Sequence, residues 1–128
     1  MRRRFVTLDV FTDKRFAGNP LAVVLEPEGL DDAAMQTVAR EFNFPETVFV
    51  FPPADKKNRA SLRIFTPGRE LPFAGHPTVG TAVLLARLDG GADTREFTLE
   101  EKVGPVPCSA QPTGPDSGYA RFTLPRLP

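Results

Sequence analysis

Two places in this sequence carry residue types and spacings suited to moving a proton on a small anion. The first is the run Phe65-Thr66-Pro67-Gly68-Arg69-Glu70-Leu71-Pro72-Phe73-Ala74-Gly75-His76-Pro77-Thr78-Val79-Gly80, which ends at the start of an apolar helix. A helix start presents backbone N–H groups without intrahelical acceptors, together with the positive end of the dipole, and so binds carboxylate or phosphate. Gly75 lets a ligand approach the backbone, while His76 and Thr78 can add side-chain hydrogen bonds. The same pattern also fits His76 as a simple helix cap. The second place is Glu46, just before the apolar run Thr47 to Phe51 and preceded by Pro45. In a partly dry cleft a carboxyl's proton affinity rises toward working pH, which makes it a usable proton shuttle. On a solvated strand edge it is an ordinary surface acid.

Two further residues have side chains that could take part in chemistry. Asn19, in Phe16-Ala17-Gly18-Asn19-Pro20, carries a polar amide into a strand, either as part of a turn or as a substrate contact. Cys108 is the single cysteine and follows Pro107 in a strand-like stretch. It reads as a buried, inert thiol, because nothing nearby in sequence would lower its pKa. One cysteine excludes an internal disulfide and a cysteine-based zinc site. With a single histidine as well, metal chemistry would need carboxylates alone, and no suitable acidic loop is present. Neither metal nor cofactor is expected.

The elements that must hold these residues are short. Residues 4 to 11 alternate, with Val6, Leu8 and Val10 on one face, as in a half-buried strand. Thr12 to Asn19 reads as a loop. Leu21 to Leu25 is a continuous apolar run, which implies a strand covered on both faces. Leu30-Asp31-Asp32 followed by Ala33, Met35, Val38, Ala39 and Phe42 has helical spacing, with an Asp cap and a Leu30–Met35 staple. Thr47 to Phe51 and Ser61 to Phe65 form a hairpin across the polar turn Pro52 to Asn58.

Thr78 to Leu88 differs, because its apolar residues surround the helix axis instead of forming one stripe. Such a helix must be wrapped. Pro77 suits its first position, and Gly90-Gly91 its end. Strands follow around 95 to 101, 104 to 110 and 118 to 124. The last has Ala120, Phe122 and Leu124 alternating against Tyr119, Arg121 and Thr123. Fourteen prolines favour short strands and fixed turns over long helices. The fold class is therefore α+β, a curved and mostly antiparallel sheet around a central apolar helix, in one domain over 1–128.

Composition narrows the partners. Sixteen basic residues balance sixteen acidic ones, so no overall field draws in nucleic acid or an anionic membrane. The basic cluster Arg2 to Arg4 precedes a stretch too short and polar for a signal-peptide core, and no apolar run approaches a membrane span. A cytoplasmic protein is expected.

Taken in register, Asp9-Val10-Phe11-Thr12, Gly18-Asn19-Pro20-Leu21-Ala22-Val23, Asn43 with Glu46-Thr47, Phe65-Thr66-Pro67, and Glu70 through Gly80 resemble the first domain of PhzF-like phenazine-biosynthesis isomerases. The resemblance implies one half of a diaminopimelate epimerase-like fold, in which two similar domains close over a substrate. In relatives such as proline racemase a catalytic cysteine precedes the glycine of the turn, and here that position is Ala74. The resemblance therefore implies that Glu46 relays the proton, while Asn19, Gly75, His76 and Thr78 hold a small carboxylate substrate. Pro45 stands where the family often has serine. The family's second domain supplies another carboxylate and a Thr-Gly-Ser turn, and residues 81 to 128 resemble neither. The expectation is a cofactor-independent isomerase or epimerase domain, incomplete without a second domain and prone to dimerise through its exposed face. The alternative is a non-catalytic module that binds a carboxylate or a protein at the helix start. A thiol-dependent racemase would need Cys108 beside His76.

Overall fold

The computed structural model describes residues 3–10, 18–114 and 117–123. In chain order the elements are β1 (Phe5–Val10), β2 (Asn19–Val24), α1 (Asp32–Phe42), β3 (Glu46–Phe51), β4 (Ala60–Phe65), β5 (Glu70–Leu71), α2 (Gly75–Asp89), β6 (Arg95–Glu101), β7 (Gly104–Gly114) and β8 (Ser117–Phe122). The strands form one sheet in the order β1-β2-β3-β4-β6-β7-β8, with β5 pairing to β4. Pairing is antiparallel except for β2 with β3 and β4 with β6. Each parallel pair is bridged by a helix, as parallel pairing requires. Most of the loop read at Thr12 to Asn19 lies outside the described residues, as does Leu124.

Helix α2 packs on β1 at one end of the sheet order and on β8 at the other, as well as on β2, β3 and β7. A sheet whose two ends meet the same helix must curl around it. This fits the sequence of α2, where Thr78, Thr81, Ala82, Leu84, Leu85 and Ala86 are all buried. Burying each leucine contributes roughly 2 kcal/mol. Closeness is set by small residues: a Cβ on Gly80 would lie 2.7 Å from Leu21 Cδ2 and 2.9 Å from Val10 Cγ2, so a larger residue there would have to push those side chains of β1 and β2 aside.

The other face of the sheet is covered by α1. Val24, Met35, Ala39, Phe49 and Phe65 form this second, smaller core. The alternation of β2 feeds both layers, with Leu21 and Val23 in the α2 core and Val24 in the α1 core, and all four residues from Leu21 to Val24 are closed to water or nearly so. Asp31 caps α1, accepting from the Ala34 N–H at 2.8 Å, and Leu30 packs on the core containing Met35 as the staple requires. At the other end Asn43 adopts φ 55°, the left-handed conformation that asparagine tolerates, and its N–H donates to Ala39 O. That turn aims the chain into β3 and so fixes where Glu46 begins it.

Three details of the sequence reading change. Helix α2 begins at Gly75, so Pro77 is its third residue and not its first. The position is still within the opening turn, where a missing N–H costs nothing. Strand β5 is an additional two-residue strand, too short to leave a periodic signal. Strand β7 runs on to Gly114, because its edge pairs with β8 through that length.

Candidate functional site

The site is built where β3 and α2 both begin. Glu46 is the first residue of β3 and His76 the second of α2, and Glu46 Oε1 lies 2.5 Å from His76 Nδ1. Both side chains are largely enclosed, at 17% and 12% exposure, so the pair is screened from bulk water. Sequence reasoning named both residues, and the fold brings them together across 30 residues of chain.

The opening turn of α2 is bare of side-chain caps. Ala74 occupies the N-cap position with extended backbone and offers no side-chain acceptor, and Pro77 has no N–H. The Thr78 N–H reaches back to Ala74 O at a long 3.4 Å. The positive end of the helix dipole therefore faces the Glu46–His76 pair unneutralised by any acidic residue in the first turn. Phe122 of β8 lies over this turn. A Cβ on Gly75 would meet its ring at 3.5 Å, and the ring stacks edge-on with Phe73 at 5.4 Å between centroids. One side of the site is thus an aromatic wall, which the sequence offered only as strand alternation.

The other predicted residues are placed differently from one another. Asn19 opens β2, exposed, two residues before Leu21, which pairs with Glu46, so it stands at the same end of the sheet as the pair. Thr78 lies behind the site: it is fully buried, and its Oγ1 contacts Ala74 O and Glu101 Oε2, each at 2.8 Å. Cys108 is buried, its thiol donating to Val106 O at 3.4 Å. Burial, reinforced by the nearby Glu101 carboxyl, pushes that thiol up to about 12, which holds it as an unreactive S–H.

The loop between β4 and α2 is braced from three sides. Thr66 Oγ1 accepts from the Gly68 and Arg69 N–H groups, closing a tight turn. Gln36 of α1 donates to the carbonyls of Thr66 and Pro67. Glu70 receives both arms of the Arg63 guanidinium at 2.8 and 2.7 Å and the Lys102 ammonium at 2.9 Å. The Arg63 hydrogen bond, ahead of the opposing effect of burial, holds the Glu70 carboxyl below the usual carboxylate range. Glu70 belongs to the motif, yet its partners lie on β4 and the β6–β7 turn, which no local pattern could reveal. Among the described residues no group of three or more His, Cys, Asp and Glu side chains could hold a metal ion. Nor is any described helix long and apolar enough to cross a membrane.

Together these features define an epimerase-like α+β fold: a sheet curled around one apolar helix, with an acid and a histidine meeting at the helix start. The chain belongs to the PhzC-PhzF family of phenazine biosynthesis-like proteins, whose family model matches residues 8–127. It is 53% identical over 126 residues to an uncharacterised isomerase of Mesorhizobium japonicum, covering 98% of this chain and 41% of that protein. It is 43% identical over 106 residues to the trans-2,3-dihydro-3-hydroxyanthranilate isomerase of Pseudomonas aeruginosa, covering 81% of this chain and 36% of that one. The solved structure of a protein described as a predicted epimerase from Pseudomonas aeruginosa superposes with a TM-score of 0.86 at 40% identity, covering 94% of this chain and 42% of that one. The chain thus spans about two-fifths of the length of these relatives.

Proposed function

We propose that residues 1–128 form one domain that supplies half of the active site of a cytoplasmic, cofactor-independent isomerase, which moves a proton on a small carboxylate. The observation that carries this reading is the Glu46–His76 contact at the uncapped start of α2. A substrate carboxylate set against the helix start, beside Gly75 and His76, gains the dipole and amide hydrogen bonds. It also makes the carbon next to it more acidic, because the electron pair left by a departing proton spreads onto the carboxylate. Glu46 takes that proton through one oxygen while the other lies against His76 Nδ1, and returns it to a second carbon on the same face; delivery to the opposite face would fall to an acid in the other half of the site. No electrons leave the substrate, so the transfer calls only for groups that accept and return a proton. Asn19 contributes a contact from the same end of the sheet, and Thr78 fixes the turn from behind.

The hydroxyanthranilate relative supports a cyclic amino carboxylate as the substrate class, and the aromatic wall of Phe73 and Phe122 suits a flat ring. A second domain, or a second copy, completes the other half of the site.

The test is hydrogen exchange in deuterated water, with this chain joined to the remaining portion of the Mesorhizobium relative and trans-2,3-dihydro-3-hydroxyanthranilate as probe. Deuterium is expected at one carbon of the product, and Glu46→Gln is expected to suppress it by on the order of 100-fold or more. Exchange that proceeds equally in that variant removes Glu46 from the reaction.

A further inference from the structure

Glu101 closes β6 and is only 8% exposed, a carboxyl among packed side chains. Its Oε2 lies 2.8 Å from Thr78 Oγ1, and that same Oγ1 lies 2.8 Å from the Ala74 carbonyl oxygen. A threonine hydroxyl has one proton to donate, and a carbonyl has none. Were Glu101 ionised, two acceptors would compete for that single proton, and one of the two contacts would hold no hydrogen between its oxygens. A neutral Glu101 supplies the missing one: its O–H donates to Thr78 Oγ1, and the Thr78 O–H donates to Ala74 O. The remaining carboxyl oxygen, Oε1, is buried without a hydrogen-bond partner. That is costly for a charged carboxylate and much cheaper for the carbonyl of a neutral acid.

The charges around Glu101 do not alter this count. On its own strand, Glu100 turns outward to the Ala54 and Asp55 amides and to Asn58, while Lys102 is taken by Glu70. From β7, the buried Cys108 thiol adds no positive charge. From α2 and β3, His76 and Glu46 contact each other. Glu101 forms no ion pair among the described residues.

We propose that Glu101 is the protonated head of a hydrogen-bond chain, Glu101 to Thr78 to the Ala74 carbonyl, and that it is a positioning residue for the opening turn of α2. The chain ends on Ala74, the N-cap, so it fixes the residue from which Gly75 and His76 project. In agreement, burial pushes the Glu101 carboxyl up to about 7, outweighing the Thr78 hydrogen bond, which pulls the other way. Proton loss above that pH makes Thr78 turn its hydroxyl to Glu101, leaves the Ala74 carbonyl only the long Thr78 N–H contact, and puts a negative charge behind the helix start. This weakens anion binding at that turn, a consequence that rests on the carboxylate reading above. The protonation itself does not depend on it.

The experiment is carbon-13 NMR of the glutamate side-chain carboxyls in this 128-residue chain, with the backbone amides of Gly75, His76 and Thr78 followed from pH 5 to 8. The Glu101 carboxyl carbon is expected to be more than half protonated at pH 6, and the amides to move with its midpoint. In Glu101→Gln, whose amide N–H can replace the acid O–H, that component of the amide shifts is expected to vanish. A carboxyl carbon more than half ionised at pH 6 overturns the protonation, and amide shifts that persist unchanged in Glu101→Gln overturn the positioning role. Neither readout involves Glu46, so failure of the isomerase reading in the exchange experiment leaves this result standing.

Discussion

Oε1 of Glu46 lies 2.5 Å from Nδ1 of His76, joining the first residue of a strand to the second residue of a helix. Each side chain reaches the other because of something elsewhere. The left-handed turn at Asn43 sets the start of β3, and the close seating of α2 on β1 and β2 at Gly80 sets the height of the helix.

The glycines of α2 separate fold from site. Gly80→Ala forces a Cβ within 3 Å of Leu21 and Val10, so it is expected to destabilise by about 1 to 3 kcal/mol, although alanine favours a helix by about 1 kcal/mol. Gly75→Ala meets only the Phe122 ring at an ordinary 3.5 Å and is expected to leave stability within about 0.5 kcal/mol. Urea unfolding of the two variants measures the contrast. Equal losses would mean that Gly75 is held by packing and not by a ligand's need to approach.

Much of this was legible beforehand, for identifiable reasons. Helix α2 announced itself because a helix apolar on all sides has to be wrapped, and its wrapping by β1 and β8 follows. The cap and staple of α1 are local signals within six residues, and both are present. Glu46 and His76 were singled out, but their meeting was not derivable from spacing, since it depends on a parallel β2–β3 pair and a helix crossing beneath it. Glu101 was not singled out: it ends the strand read around 95 to 101, where nothing in Leu99-Glu100-Glu101-Lys102 marks a buried acid, and only the sheet register sends Glu100 outward and Glu101 inward. The Arg63–Glu70–Lys102 cluster was hidden for the same reason, because its three members come from three elements.

That cluster gives a pH dependence with a definite sign. The Glu70 carboxyl is held below its ordinary value of 4.5, chiefly by the Arg63 hydrogen bond, so the folded state binds its proton less readily than the unfolded chain. Its contribution is present above that value and is lost as pH falls through the folded-state value. Arg63→Met is expected to cost about 1 to 2 kcal/mol at pH 7, discounted for partial exposure, with the gap from the parent narrowing toward pH 3. Denaturant midpoints at the two pH values check it; a gap that stays constant would assign the loss to packing alone.

The Cys108 thiol provides a check on the chemistry. Burial and the neighbouring Glu101 keep it protonated, so iodoacetamide at pH 8 is expected to leave the folded chain unlabelled and to label it promptly in denaturant. Mass spectrometry reads both. Fast labelling of the folded chain would reopen the thiol-dependent racemase that Ala74 argues against.

The central claim, that Glu46 and His76 work as one unit on a bound carboxylate, is tested most directly by a double-mutant cycle on deuterium exchange in the completed protein. Glu46→Gln and His76→Asn are each expected to slow exchange by on the order of 100-fold or more, and the double variant to be no slower than the worse single one. A double variant whose loss equals the product of the two single losses would show that the residues act separately, and the account built on their contact would be wrong.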